Sequence, residues 1–232
     1  QSQERSPAQQ SGHSKYIITM TRLYLLRHGS TKSNRDGRYM SRSEEGLSGD
    51  GRWEVRQLAQ RLSSSELAAV YSSPLQRAKE TAQIIAQPHR LNIAISPDFN
   101  ELDLSRWAGL TATEIAARDP KAWDIWCNDP MNLSISGIES FVELQHRIRR
   151  GLDQVSASHP EGNVAVTTHD GIVRIAVLLA LGIPLDHYRA VTVSNAGMTI
   201  LDIDSARTYL RAYNDTGHLK DVLSVRTGPA DR

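Results

Sequence analysis

Apolar positions recur along this chain at two periods, and the switching between them outlines a fold. Strand-length apolar runs stand at residues 23–26, 67–71 and 163–168, with a weaker one at 92–95. Between them, Val55, Leu58, Ala59 and Leu62 fall on one face of a helical wheel, as do Leu75, Ala78, Ala82 and Ile85. Ile138, Phe141, Leu144, Ile148, Leu152 and Val155 predict a long amphipathic helix with a charged outer face. Residues 172–181 are apolar nearly all round, which predicts a buried helix stopped by Gly182-Ile183-Pro184. Thr31 can cap a short helix leading to Asn34; Ser73 reads as an N-cap with Pro74 at the first helical position; Thr111 and Glu114 form a capping box. The polar segment 35–51 predicts a loop able to fold over a site. Residues 97–103 predict a carboxylate-rich extended segment, and 119–137, with two prolines and two tryptophans, an irregular excursion or lid. Residues 192–204 and 208–213 read as closing strands, the last antiparallel.

Strands alternating with helices predict an α/β three-layer sandwich, a mostly parallel central sheet with helices on both faces. With no repeat or composition break, residues 20–225 read as a single domain. It lies between a Gln- and Ser-rich disordered tail at 1–19 and a loose tail at 226–232.

Composition adds mainly exclusions. A net charge of +1 on 232 residues offers no field for nucleic acid or an anionic membrane. Basic residues that matter must therefore be grouped at a site. No apolar run approaches the roughly 18 residues that a membrane span needs. Cys127 is the only cysteine, so an intrachain disulfide is impossible and a cytoplasmic location fits. Its setting among Trp123, Trp126 and Asn128 suggests a packing residue rather than a reactive thiol. Trp107, Trp123 and Trp126 either wall a pocket or belong to the core.

The candidate chemistry stands where apolar runs stop. The first run ends in Arg27-His28-Gly29, with a glycine that lets the chain turn sharply. A neutral imidazole is a competent nucleophile, and a flanking guanidinium suits a phosphate. Arg77 follows the second run within one turn, His169 follows the run 163–168 at once, and Glu101 lies beyond the third. In a parallel sheet these junctions share one edge, where helix amino termini add anion affinity. Any one of these residues alone is more often a packed histidine or a solvated charge. Four junctions at one edge point to a site. No ligand spacing for a metal is evident, and no cofactor is required.

Arg27-His28-Gly29-x-Thr31-x-x-Asn34 with Gly37-Arg38, then Ser72-Ser73-Pro74-Leu75-Gln76-Arg77-Ala78, Asn100-Glu101-Leu102-Asp103 with Trp107 and Gly109, and Thr168-His169-Asp170-Gly171 together resemble the histidine phosphatase superfamily, the phosphoglycerate-mutase-like proteins. The resemblance runs from about Arg22 to Asp204. It implies that His28 attacks phosphorus and carries the phosphoryl group covalently, while Arg27, Arg77 and His169 hold its oxygens. Glu101 would protonate the leaving alkoxide and then activate water, and Asn34, Thr31, Asp170 and Gly171 would complete the substrate-binding set. Ser30, Met40, Asp170 and Ile138 depart from the family pattern, which bears on substrate choice more than on chemistry. The stretch from Glu101 to Glu139 is short and holds few basic residues, Arg106, Arg118 and Lys121, which favours hydrolysis over mutase-type transfer. Residues 129–141 and 181–185 are similar to α-ribazole phosphatases and to broad-specificity phosphatases, and both remain open. The expectation is a metal-independent phosphomonoesterase acting on a small phosphorylated metabolite, with no nucleic-acid or membrane partner and a homodimer allowed. The alternatives are phosphoglycerate mutase-type transfer and a catalytically silent phosphate-ester binding protein.

Overall fold

The computed structural model describes residues 19–219. Its centre is a six-stranded sheet built from β1 (Thr21–Arg27), β2 (Leu67–Ser72), β3 (Ile93–Ile95), β4 (Asn163–Thr168), β5 (Met198–Ile203) and β6 (Thr208–Asp215), in the order β3-β2-β4-β1-β5-β6. The pairs β1–β4, β2–β4 and β2–β3 are parallel. Seven helices accompany it among the described residues: α1 (Lys32–Arg35), α2 (Gly49–Leu62), α3 (Gln76–Ala86), α4 (Ala112–Arg118), α5 (Pro120–Asn128), α6 (Phe141–Ser158) and α7 (Asp170–Leu181).

The strands are apolar on both faces because both faces are covered. On β1, Leu23 and Leu25 enter one core with Val164, Val166 and the buried sides of α6 and α7. Tyr24 and Leu26 point the other way, into a second core with Val55, Leu58, Ile85 and Ala165 from α2, α3 and β4. Side-chain alternation along a strand thus feeds two layers of helices from one continuous run. Burying a side chain such as Leu25 contributes about 2 kcal/mol, so the central strands are the rigid base on which the junctions stand. No helix among the described residues is long and apolar enough to cross a membrane.

Several expected elements differ, each for a local reason. Helix α2 begins at Gly49 rather than after Gly51, because Ser48 accepts from the Gly51 amide and caps it. Residues 97–99 form a 3₁₀ turn before the chain extends through Asn100. The excursion at 119–137 contains a true helix, α5, opened by Pro120, whose missing N–H costs nothing at that position. Ala122, Trp123, Trp126 and Cys127 supply its inner side, too short a run to show a period. Trp107 and Trp126 are core, packed edge to face 5.8 Å apart, and Trp123 is half-buried against Trp107. Helix α6 starts at Phe141, leaving Ile138 outside it. Residues 192–197 are not strand, and the reversed strand is β5, which pairs antiparallel with both β1 and β6, so that β6 points the same way as β1. The cause is topological: α7 carries the chain away from the shared edge, residues 191–197 bring it back, and β5 must then run down again. Residues 1–18 and 226–232, where loose tails were expected, lie outside the described residues.

Candidate active site

The carboxyl ends of β1, β2 and β4 lie side by side. The His28 amide donates to the carbonyl of Thr168 and the Ser73 amide to that of Thr167, which extends the ladder one residue past each strand. Arg27, His28, Arg77 and His169 therefore meet at one rim, the two imidazole rings 5.2 Å apart. Gly29 is needed for closeness rather than for a turn: a Cβ there would lie 2.5 Å from the carbonyl oxygen of Gly51. That approach presses the first turn of α2 against the histidine strand.

The protonation state of His28 follows from two contacts. Its Nδ1 lies 2.8 Å from the Gly29 carbonyl, which can only accept, so Nδ1 carries the hydrogen. The Arg77 Nε–H donates to Nε2 at 3.2 Å, which requires a lone pair there. Both contacts select the same tautomer, with Nε2 as the free base. Burial, then the Arg77 and Arg27 guanidiniums, hold His28 well below the ordinary imidazole range, so it stays neutral. Burial does the same to His169, helped by Arg77, His28 and Arg27.

Arg77 is fully buried and splayed between the rim and the loop before α2, donating to the carbonyls of Ser43 at 2.8 Å and Ser41 at 2.7 Å. Burial lowers its pKa to about 10 against the attraction of Glu101, so it remains a cation at neutral pH. Arg27 donates to the carbonyl of Val193 and lies 3.7 Å from Asp170. The Glu101 carboxyl is buried at the start of α7, where burial and the charge of Asp170 raise its pKa while Arg77 opposes them. Gly171 makes room for it, since a Cβ there would stand 2.8 Å from Glu101 Oε1.

Three polar atoms at this rim are buried without a hydrogen-bond partner among the described residues: Arg27 Nε, His169 Nδ1 and Asp170 Oδ1. Buried polar groups are normally satisfied, so two unspent nitrogens in a cluster of cations mark a place prepared for an anion. Among the described residues, no group of three or more His, Cys, Asp or Glu side chains is placed to hold a metal ion.

The structure thus gathers the five expected side chains, and it redistributes the other four. Thr31 is fully buried; its hydroxyl accepts from the Asn34 amide and meets Met40 Sδ, so it caps α1 instead of facing a ligand. The Asn34 oxygen closes that same capping box and also accepts from Asn195. Asp170 is balanced by Arg174 at 2.8 Å and by Arg27, which orients its neighbours and neutralises its charge near the anion pocket. Gly171 serves through its missing side chain. Ser73 does not cap α3, whose N-cap is Leu75; its hydroxyl lies 2.7 Å from His169 Nε2 and fixes that ring. Ser73, together with the 193–196 backbone and Asn195, which bonds the His28 carbonyl, was missed by sequence reasoning. The Ser-Pro pair has a helix-start signature, and backbone acceptors leave no side-chain signal.

The chain as a whole is similar to known proteins. The family model for the histidine phosphatase superfamily (branch 1) matches residues 23–216. Phosphoserine phosphatase 1 of Hydrogenobacter thermophilus is 29% identical over 200 residues, covering 86% of this chain and 95% of that protein. The metal-independent phosphoserine phosphatase of Arabidopsis thaliana is 31% identical over 215 residues, covering 90% of this chain and 87% of that one. The solved α-ribazole phosphatase of Shigella flexneri superposes with a TM-score of 0.76 at 26% identity, covering 84% of this chain and 96% of that one.

Proposed function

We propose a two-step hydrolysis from one premise: the chain belongs to the histidine phosphatase superfamily (branch 1). It is a histidine-type phosphatase, and its activity is phosphoester hydrolysis on small phosphorylated metabolites. In the reading proposed here, the His28 Nε2 lone pair attacks phosphorus as the bond to the ester oxygen breaks. Glu101, protonated, gives its hydrogen to that oxygen as it leaves. Glu101, now a carboxylate, then takes a proton from a water molecule whose oxygen attacks the phosphohistidine. The phosphorus–nitrogen bond breaks, phosphate departs, and both side chains return to their starting states. Arg27, Arg77 and the unpartnered His169 Nδ1 would hold the equatorial oxygens, where charge accumulates in the transition state.

The observation that carries this reading is the tautomer of His28, whose nucleophilic nitrogen is selected by a carbonyl on one side and a guanidinium on the other. A mere binder of phosphate esters needs neither that arrangement nor a carboxyl beside it whose pKa burial raises. For the substrate we favour a small primary or secondary alkyl phosphate, the class named for the phosphoserine phosphatase and α-ribazole phosphatase relatives.

The pH dependence tests the assignment. The active form has His28 neutral and Glu101 protonated, so rates fall below the His28 pKa and above that of Glu101. Burial lowers the first and raises the second, which widens the working window. With phenyl phosphate, whose phenolate leaves poorly without a proton, and a chelator present, kcat/KM corrected for the dianionic substrate fraction is expected to give a bell. Glu101→Gln should abolish the alkaline limb and leave the acid limb in place. An alkaline limb that survives in Glu101→Gln would remove Glu101 from the mechanism.

A steric variant reaches the same carboxyl without touching it. Gly171→Ala sets a methyl 2.8 Å from Glu101 Oε1, 3.3 Å from the Leu102 Cβ and 3.4 Å from the Tyr188 hydroxyl. The carboxyl must shift, and a shift of about 1 Å costs on the order of 10²-fold in rate. Steady-state kinetics should show this loss in kcat with KM changed less than about threefold, since the rim that binds phosphate is untouched.

A further inference from the structure

Glu101 reaches the rim on a segment with no regular structure, six residues past β3 and two past a single 3₁₀ turn. Such a segment needs something to hold it. The holder is Arg147, on the second turn of α6. Its Nε and one terminal nitrogen form a bidentate pair with Glu139 at 2.6 and 2.8 Å. The same guanidinium donates to the carbonyl of Asp98 at 2.9 Å, of Asn100 at 2.6 Å and of Glu101 itself at 3.1 Å. One side chain thus binds three backbone carbonyls within four residues while its own charge is compensated.

Glu139 is the hub of this clamp. Its Oε2 also accepts from the amide of Asp103 at 3.1 Å and from Arg42 at 3.0 Å, and its own amide donates to the carbonyl of Asp103 at 2.8 Å. Arg42 then donates from Nε to the Glu101 carbonyl at 3.1 Å, so two guanidiniums converge on the backbone carbonyl of the acid residue itself. The packing that permits this is a glycine. One turn after Arg147, a Cβ on Gly151 would come within 2.9 Å of the Asp98 Cβ, so α6 lies flush on the 97–99 turn. Arg147 and Glu139 are both nearly enclosed, with side chains 11% and 10% exposed. An enclosed, charge-compensated fork is rigid, unlike a surface ion pair.

We propose that Arg147, seated on Glu139 and joined by Arg42, is the positioning residue that fixes the Glu101 carboxyl for proton transfer. It touches backbone carbonyls and not substrate, so it acts through Glu101 alone. The inference rests on the acid role of Glu101 proposed above. It predicts a loss confined to substrates that need a proton on the leaving oxygen.

Two aryl esters of similar shape separate the cases: phenyl phosphate, whose phenolate leaves poorly without a proton, and 2,4-dinitrophenyl phosphate, whose phenolate leaves unaided. Phosphoenzyme formation is followed by rapid quench, so that the later hydrolysis does not mask the first step. Arg147→Lys keeps the charge and loses the fork, and is expected to slow the phenyl ester about 30- to 100-fold, as displacement of a catalytic group does. The dinitrophenyl ester should slow less than about threefold. Glu139→Gln, which leaves the shape and weakens the seat, should give the same split at about tenfold. Thermal unfolding run alongside shows whether each variant is folded at the assay temperature. Equal slowing of both esters in folded variants would overturn the positioning role, as would no slowing at all. If Glu101→Gln itself failed to separate the two esters, the acid assignment would fall, and the clamp with it. If Glu101→Gln separated them and the clamp variants did not, only the clamp would fall.

Discussion

His28→Ala is expected to lower phosphate release by at least about 10⁴-fold, because it removes the atom to which phosphorus must bond. The loss should fall on kcat. Arg27, Arg77 and His169 remain to hold a phosphate, so a dissociation constant for inorganic phosphate should change by less than about tenfold. Intact mass after rapid quenching at neutral pH should show an added phosphoryl group on the wild type and none on the variant. Removing the ring also leaves the Arg77 Nε–H without its acceptor in a buried place, which costs about 1–3 kcal/mol. The variant should therefore melt earlier while staying folded at 25 °C. Retention of more than about a hundredth of the wild-type rate would contradict the covalent route. Tight phosphate binding by a wild type without turnover would instead support the silent binder.

The site was legible where chemistry sits on regular structure. His28, Arg77 and His169 each stand at the end of an apolar run or within one helical turn of it, so the parallel sheet alone brings them together. Glu101 lies six residues past Ile95 on an irregular segment; its place beyond the third run marked it as a candidate, but its role as the acid came only from its likeness to a known motif. The supporting side chains were not legible at all. Arg147 shares α6 with a clear apolar face and reads as one more charge on the solvent side. It is in fact drawn inward by backbone carbonyls, which no sequence pattern displays. Thr31 and Ser73 show the converse. Both have cap-forming side chains at junctions: of the two roles expected for Thr31, the cap is the one its hydroxyl performs, while the Ser73 hydroxyl, expected to cap a helix, fixes a rim histidine. The antiparallel β5 was hidden for a similar reason: residues 192–197 have strand-like composition but spend their backbone groups on Arg27, His28 and Asn214.

Arg77→Lys is the second large effect, and comparing it with Arg77→Met separates charge from shape. The guanidinium does three things at once: it donates Nε–H to His28 Nε2, ties the carbonyls of Ser41 and Ser43, and lends a positive charge to the rim. A lysine ammonium has donors at one point only and cannot span the histidine and both carbonyls. The buried carbonyl of Ser41 would lose its charged donor, at a cost of about 1–3 kcal/mol, and that of Ser43, an exposed residue, would turn to water. The loop that they belong to also carries Ser41 Oγ to the Leu104 amide at 2.8 Å, so loosening it should disturb the Glu101 side of the pocket as well. Loss of an arginine that stabilises a phosphoryl transition state costs about 10³–10⁵-fold, and both variants should fall in that range for kcat/KM. They should differ in pH dependence. Arg77 is the largest charge lowering the His28 pKa after burial itself, so Arg77→Met raises that pKa and moves the acid limb to higher pH. Arg77→Lys, keeping the charge, should leave the limb nearly in place. If the lysine variant recovered wild-type rates, charge alone would suffice, and the fork that links nucleophile, loop and acid would be ornament to the mechanism. If it stays as slow as Met with an unshifted limb, the rim works through geometry, with its charge serving chiefly to keep the nucleophile unprotonated.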